Sequence, residues 1–121
     1  MIDIDRLNDI KIENYIFIIY YIIITISLYA NKVETEYLIT DNKEIREKYR
    51  KLLFVIFGTA FLVYLYYTIS NYDDYIEDNN PNSKRLNGLT FLASFFVLIS
   101  GIIYLYVIYE DKDVNIELAF N

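Results

Sequence analysis

The chain has 121 residues, of which 55% are hydrophobic, and a formal net charge of −6 at pH 7. It contains neither cysteine nor histidine, which excludes disulfides, thiolate nucleophiles and the zinc, haem or iron–sulfur sites that use those side chains. The length corresponds to one small domain. Its apolar residues are concentrated in three stretches of 18, 21 and 24 residues that carry no charge (14–31, 52–72 and 86–109).

The first stretch reads NYIFIIYYIIITISLYAN, and its isoleucines and tyrosines favour a β-strand in water. Buried strands rarely exceed about ten residues, however, whereas about 20 apolar residues in a helix cross a hydrocarbon core of roughly 30 Å. Lipid also forces the backbone polar groups into internal hydrogen bonds. We therefore predict a transmembrane helix over 14–31. The residues before it are acidic rather than basic, which is unlike a signal peptide and favours a retained span.

The polar segment 32–51 is predicted to be a loop that contains the start of the second helix. Asp41 and Glu44 have the spacing of a capping box, and apolar residues follow on one helical face. We therefore expect the second helix to begin in water near Asn42 and to continue into the second span, 52–71.

Lysine and arginine set the orientation of a membrane protein. The first loop and the C-terminal tail together hold seven of these residues, and the N-terminal tail and second loop hold four. This bias predicts an external N-terminus and a cytoplasmic C-terminus, and we expect a bacterial plasma membrane. The topology-setting charges of the first loop are Lys43, Arg46, Lys48, Arg50 and Lys51. The same stretch is a candidate docking face for anionic lipid or a partner, although five acids in the loop favour a purely topological role.

The second span, 52–71, is apolar on every face and lacks the polar stripe that a soluble bundle helix requires. Its small residues Gly58, Thr59 and Ala60 are adjacent. The acidic loop 72–86 lacks the turn glycine and the bidentate glutamate of a calcium-binding loop. We predict that it is a solvated, extracytoplasmic hairpin.

The third span, 87–109, carries two pairs of small residues, and the members of each pair are seven residues apart. This spacing places all four on one helical stripe: Ala93 and Ser100, and Ser94 and Gly101. Small residues allow lipid-embedded helices to approach closely. We therefore predict that this stripe, together with Gly58, Thr59 and Ala60, forms a helix-packing or oligomer interface. Packing within one chain uses the same kind of face and remains the alternative.

Tyrosines gather near the predicted span ends, where amphipathic rings favour the headgroup level. The predicted interfacial anchors are Tyr15, Tyr29, Tyr64, Tyr66, Tyr67, Tyr104, Tyr106 and Tyr109. A pore or ligand groove lined by tyrosine is the alternative interpretation.

Three short juxtamembrane segments alternate in the manner of β-strands: NDIKIEN (8–14), KVETEYL (32–38) and DVNIEL (113–118). The last two are candidates for a small β ribbon. Because a two-stranded pair is marginal by itself, extended tails are an equal alternative.

None of the three spans contains Asp, Glu, Lys, Arg or His. The spans therefore lack the charged side chains that proton relays and voltage sensors use. The sequence also shows no channel-filter motif and no phosphate-binding loop. We expect no catalytic residues, cofactor, metal, nucleic acid or small-molecule substrate, and the protein is not predicted to be an enzyme.

These patterns predict an all-α membrane protein, a single integral domain over 1–121. Three transmembrane helices run up-down-up, with helix 2 extended into the cytoplasm. The expected function is helix–helix association in the lipid bilayer, as a homo-oligomer or as an accessory subunit of another membrane protein. The alternatives are a holin-like or toxin-like pore-former and an immunity-type membrane protein.

Overall fold

The computed structural model describes residues 3–111, which fold into three long α-helices. These are α1 (Ile4–Thr40), α2 (Lys43–Glu77) and α3 (Pro81–Glu110). All three are long and apolar enough to cross a membrane. This confirms the predicted all-α class and the three apolar helices, and it supports a multi-pass membrane protein.

Each helix exposes large apolar side chains along its uncharged stretch. Ile24 on α1, Leu62 on α2 and Phe96 on α3 each leave half or more of their surface open. Water solvates such surfaces poorly, whereas acyl chains solvate them well. The exposed surface therefore matches a lipid environment.

α1 is 37 residues long and extends well beyond its apolar stretch at both ends. The Asp3 side chain caps its start by accepting a hydrogen bond from the Arg6 backbone N–H at 3.0 Å. At 1.5 Å per residue the helix spans roughly 55 Å, which exceeds a hydrocarbon core of about 30 Å. The helix is therefore longer than one membrane crossing requires.

The strand interpretation of the juxtamembrane segments is wrong for the first two. Residues 8–14 and 32–38 belong to α1. Extending an existing helix adds one hydrogen bond per residue without a new nucleation cost, and this gain outweighs the β preference of the few Val, Ile and Thr side chains. The third segment, 113–118, lies outside the described residues, as does the charge of Lys112.

The predicted loop 32–51 is almost entirely helical, and only Asp41 and Asn42 separate α1 from α2. Asp41 ends α1 in the left-handed conformation (φ 51°), with its backbone N–H bonded to the Tyr37 carbonyl at 2.7 Å. The Asn42 side chain accepts a hydrogen bond from the Glu44 N–H at 2.9 Å. Asn42 therefore caps α2, and the predicted capping role of Asp41 is wrong. The start of α2 at Lys43 agrees with the predicted start.

The acidic segment 72–86 is also mostly helical, with residues 78–80 between α2 and α3. Asn80 caps α3, and Pro81 occupies the first position of the helix. Proline has no backbone N–H, and at this position a helix does not use one. The segment is a tight connection between two helices rather than a long hairpin loop.

The chain divides into two compact units, with the boundary between Leu52 and Leu53 inside α2. In the first unit, the end of α1 and the start of α2 run antiparallel across the two-residue turn. In the second unit, the rest of α2 and α3 also run antiparallel. The ring of Phe57 faces that of Tyr104 near one end of this contact, and the ring of Tyr72 faces that of Phe91 near the other.

Candidate functional site

The candidate interaction surface of the second unit is built on the contact between α2 and α3. Aromatic rings fill much of this contact, with centroids 5.1 Å apart for Phe57 and Tyr104 and 5.3 Å apart for Tyr72 and Phe91. Such pairs contribute about 0.5–1.5 kcal/mol each beyond the area that they bury. Tyr104, a predicted interfacial anchor, therefore packs within this helix pair.

A polar bridge crosses the same contact. The Asn71 side-chain amide donates a hydrogen bond to the Ser94 Oγ at 3.1 Å, and that hydroxyl donates to the Phe91 carbonyl at 2.9 Å. Hydrogen bonds between helices in lipid contribute about 0.6 kcal/mol on average. This bridge fixes the register of α2 on α3 at a defined pair of residues.

The structure divides the four small residues of α3 into two pairs. Ser94 is buried in the contact with α2, and Gly101 lies beside the Phe61 ring, which a Cβ on Gly101 would meet at 4.0 Å. Ala93 and Ser100 are exposed. One pair therefore serves packing within the chain, while the other remains available on the surface.

The small residues of α2 include one position, Gly58, with open space beside it. Gly58, Thr59 and Ala60 are half-buried, and a Cβ on Gly58 would meet nothing within 4 Å. The Thr59 hydroxyl donates to the Val55 carbonyl at 2.7 Å, which satisfies it within the helix. The structure therefore shows open space beside Gly58. The interface predicted for Gly58, Thr59 and Ala60 stays a prediction.

Two residues of this contact were missed by the sequence analysis. A Cβ on Gly88 would stand 3.2 Å from the Tyr75 ring, so this glycine allows a close approach of α3 to α2. Asn71 was counted only as the end of an apolar span. An amide at the end of such a span is a usable signal, because side-chain amides hydrogen-bond across helices in lipid.

The remaining predicted tyrosine anchors occupy varied environments. Tyr67 lies between Tyr64 and Tyr66, with ring centroids 6.0 and 5.7 Å away. The other anchors, Tyr15, Tyr29, Tyr106 and Tyr109, are exposed. Their exposure is compatible with an interfacial role, and their depth in a bilayer remains a prediction.

The predicted topology-setting charges of the first unit have distinct partners. Arg46 and Arg50 are largely covered, and both pair with Glu47, at 3.8 and 3.2 Å. Lys48 lies over the Tyr29 ring with its Nζ 5.1 Å from the centroid. Its hydrogen bond to the Tyr29 hydroxyl raises the pKa of the Lys48 ammonium, which keeps the charge in place.

Tyr49 is the buried centre of the first unit, with 2% of its surface exposed. Burial raises the pKa of its phenol, and the hydrogen bond that it donates to the Glu34 carboxylate raises it further. The phenol therefore remains a protonated donor and links α1 to α2.

Asp78 organises the connection between α2 and α3. Its carboxylate accepts hydrogen bonds from the Asn80 N–H at 2.9 Å and from the Asn87 amide at 3.0 Å. A hydrogen bond from the Ser83 hydroxyl, together with the Asn80 N–H, lowers the pKa of Asp78. Among residues 3–111, no group of three or more acidic side chains is placed to hold a metal ion.

Comparison of the chain with protein-family models, curated proteins and solved structures finds no match. Inference about function therefore depends on the helices and on the side chains that they present.

Proposed function

We propose that this chain is a small, non-enzymatic, multi-pass membrane protein that acts through helix–helix association, as a homo-oligomer or as an accessory subunit. The observation that carries the proposal is the division of the small residues on α3. Ser94 and Gly101 pack within the chain, whereas Ala93 and Ser100 are exposed two helical turns apart. Exposed small residues allow a second helix to approach closely in lipid, where no hydrophobic effect drives association.

Tyr21 on α1 gives independent support. Its side chain is 74% exposed and lies near the centre of the uncharged stretch 14–31. A phenol hydroxyl surrounded by hydrocarbon lacks the hydrogen bonds that water would supply, which costs free energy. A neighbouring helix that offers a donor or acceptor at this depth removes that cost, so association is favoured on α1 as well.

The proposal is tested with Ala93→Leu and Ser100→Leu in the full chain. Each leucine would block the close approach of a second helix. It would not enter the contact between α2 and α3, which would stay unchanged. We expect a loss of cross-linked oligomer in membranes and a shift to monomer mass in mild detergent. The control is Ile99→Phe, which adds bulk at an exposed position on a different side of α3. Unchanged oligomer in both leucine variants, or an equal loss in the control, would contradict the proposed interface.

The proposed orientation places the N-terminus outside and the C-terminus in the cytoplasm, with the spans running up-down-up. Two features support it. α2 runs from Lys43 to Glu77 and is long and apolar enough to cross a membrane once. The turn with more lysine and arginine is expected on the cytoplasmic side.

Single cysteines test this orientation cleanly, because the chain has none of its own. We expect a membrane-impermeant maleimide to label Asn79→Cys in intact cells and to label Lys43→Cys only after the membrane is opened. Both positions are exposed and lie at the two turns. The opposite labelling pattern would reverse the orientation, and equal labelling of both would rule out the three-span arrangement.

A further inference from the structure

In the segment 32–51, the charged residues farthest from the turn are lysines. Lys32 lies nine residues before Asp41, and Lys51 lies nine residues after Asn42, so both stand at the same height of roughly 13 Å from the turn. They are the charged residues that border the two apolar stretches at this end. The carboxylates of this segment lie closer to the turn, beginning with Glu34.

The acids of this unit are also partly engaged. Glu47 pairs with Arg46 and Arg50, and Glu34 accepts the hydrogen bond from Tyr49. The Glu36 carboxylate attracts the Lys48 ammonium electrostatically. The charges nearest to the apolar stretches at this end are therefore the ammonium groups of Lys32 and Lys51. Glu34 lies between their level and that of Lys48, and its carboxylate accepts the hydrogen bond from Tyr49.

Lys48 adds a third ammonium group beside Tyr29. Its Nζ lies 5.1 Å from the centroid of the Tyr29 ring, which is itself 44% exposed. Lys32 follows Tyr29 by one helical turn, and Lys51 follows Lys48 by one turn, so each shares a helix face with its neighbour. Three exposed ammonium groups and a phenol are thus gathered at the end of the apolar stretches.

We propose that Lys32, Lys48 and Lys51, arranged around Tyr29, bind the headgroup phosphate of an anionic phospholipid. The position favours a lipid over a dissolved anion, because the acyl chains of a bound lipid would lie on the exposed apolar surface of α1 immediately beyond Tyr29, where Leu28 is 68% exposed. Basic clusters at the ends of membrane helices attract anionic headgroups, at about 1 kcal/mol per lysine or arginine. The proposal does not depend on self-association.

The chain contains its own matched comparison at the other turn. Lys84 lies over the Tyr75 ring at 4.9 Å, in the same lysine–tyrosine arrangement. There, however, the neighbouring residues at the end of α2 and in the following connection are acidic: Asp73, Asp74, Glu77 and Asp78. Lysine over tyrosine is therefore common to both turns, and only the sign of the surrounding charge differs.

The test measures lipid bound to the full chain by native mass spectrometry in mild detergent. The probes are phosphatidylglycerol and phosphatidylcholine with identical acyl chains. We expect the wild type to prefer phosphatidylglycerol, and Lys48→Gln/Lys51→Gln to weaken that binding by roughly fivefold per lysine, from about 1 kcal/mol each. Lys84→Gln/Arg85→Gln, which removes the same charge, should leave it within about twofold of the wild-type value. Lys48→Arg should retain binding.

Three results would overturn the proposal. These are equal binding of the two lipids by the wild type, equal losses in the two double variants, or displacement of phosphatidylglycerol by millimolar inorganic phosphate. The last result would identify a site for a free anion. The substituted side chains of Lys48 and Lys51 are exposed, and unchanged helical circular dichroism confirms that each variant is folded.

Discussion

Replacing Ser94 with leucine is expected to separate α3 from α2. Ser94 is buried, accepts a hydrogen bond from Asn71 and lies in a contact filled by aromatic rings. Leucine adds bulk to a packed contact, at a typical cost of about 1–3 kcal/mol, and removes a hydrogen bond worth about 0.6 kcal/mol in lipid. We expect the free energy of unfolding to fall by about 2–4 kcal/mol, measured by titrating the protein from mild detergent into dodecyl sulfate.

Ala93→Leu is the matched control for this substitution. It introduces the same side chain one residue away, at an exposed position. Exposed substitutions away from special features usually change stability by less than about 0.5 kcal/mol. The two variants should therefore separate two properties, since Ser94→Leu weakens the fold and Ala93→Leu weakens only the proposed association. Equal destabilisation by both would mean that α3 is rotated relative to the structure described above.

Replacing Tyr49 with alanine is expected to open the first unit. The ring is almost completely buried, and its hydroxyl donates to Glu34. Truncating a buried aromatic side chain costs about 3–5 kcal/mol. The proposed membrane arrangement places the turn between α1 and α2 in water, where the hydrophobic effect contributes to packing. We expect amide hydrogen exchange across 32–51 to accelerate by roughly 100-fold or more, measured by mass spectrometry.

Two further variants assign the cause of this effect. Tyr49→Phe keeps the ring and removes only the hydroxyl, so a cost of about 1 kcal/mol is expected. Ile39→Ala truncates a side chain that is 79% exposed near the same turn, and it should leave exchange almost unchanged. If Tyr49→Ala exchanges no faster than Ile39→Ala, the packing of the first unit around Tyr49 is disproved.

The turn between α1 and α2 shows what a local sequence pattern predicts and what it leaves open. The spacing of Asp41 and Glu44 indicated that a helix starts at this point, and α2 does start at Lys43. The residue that caps it is Asn42, because Asp41 already ends α1 in a left-handed conformation. A two-residue turn uses each residue for a different helix end, and the sequence pattern alone does not assign those roles.

The sequence by itself determined that the three uncharged stretches are helical, because stretches of this length and apolarity are solvated by lipid only when the backbone is helical. It also determined that Ala93, Ser94, Ser100 and Gly101 lie along one helical stripe, since helical spacing sets the angle between residues.

Only the tertiary structure decided which residues of that stripe face α2 and which are exposed, and that Lys48 reaches Tyr29 on another helix. The physical reason is that an apolar helix in lipid has no polar face to orient it. Its rotation is set by the side chains of its neighbour, in this case by Asn71 and the aromatic rings of α2.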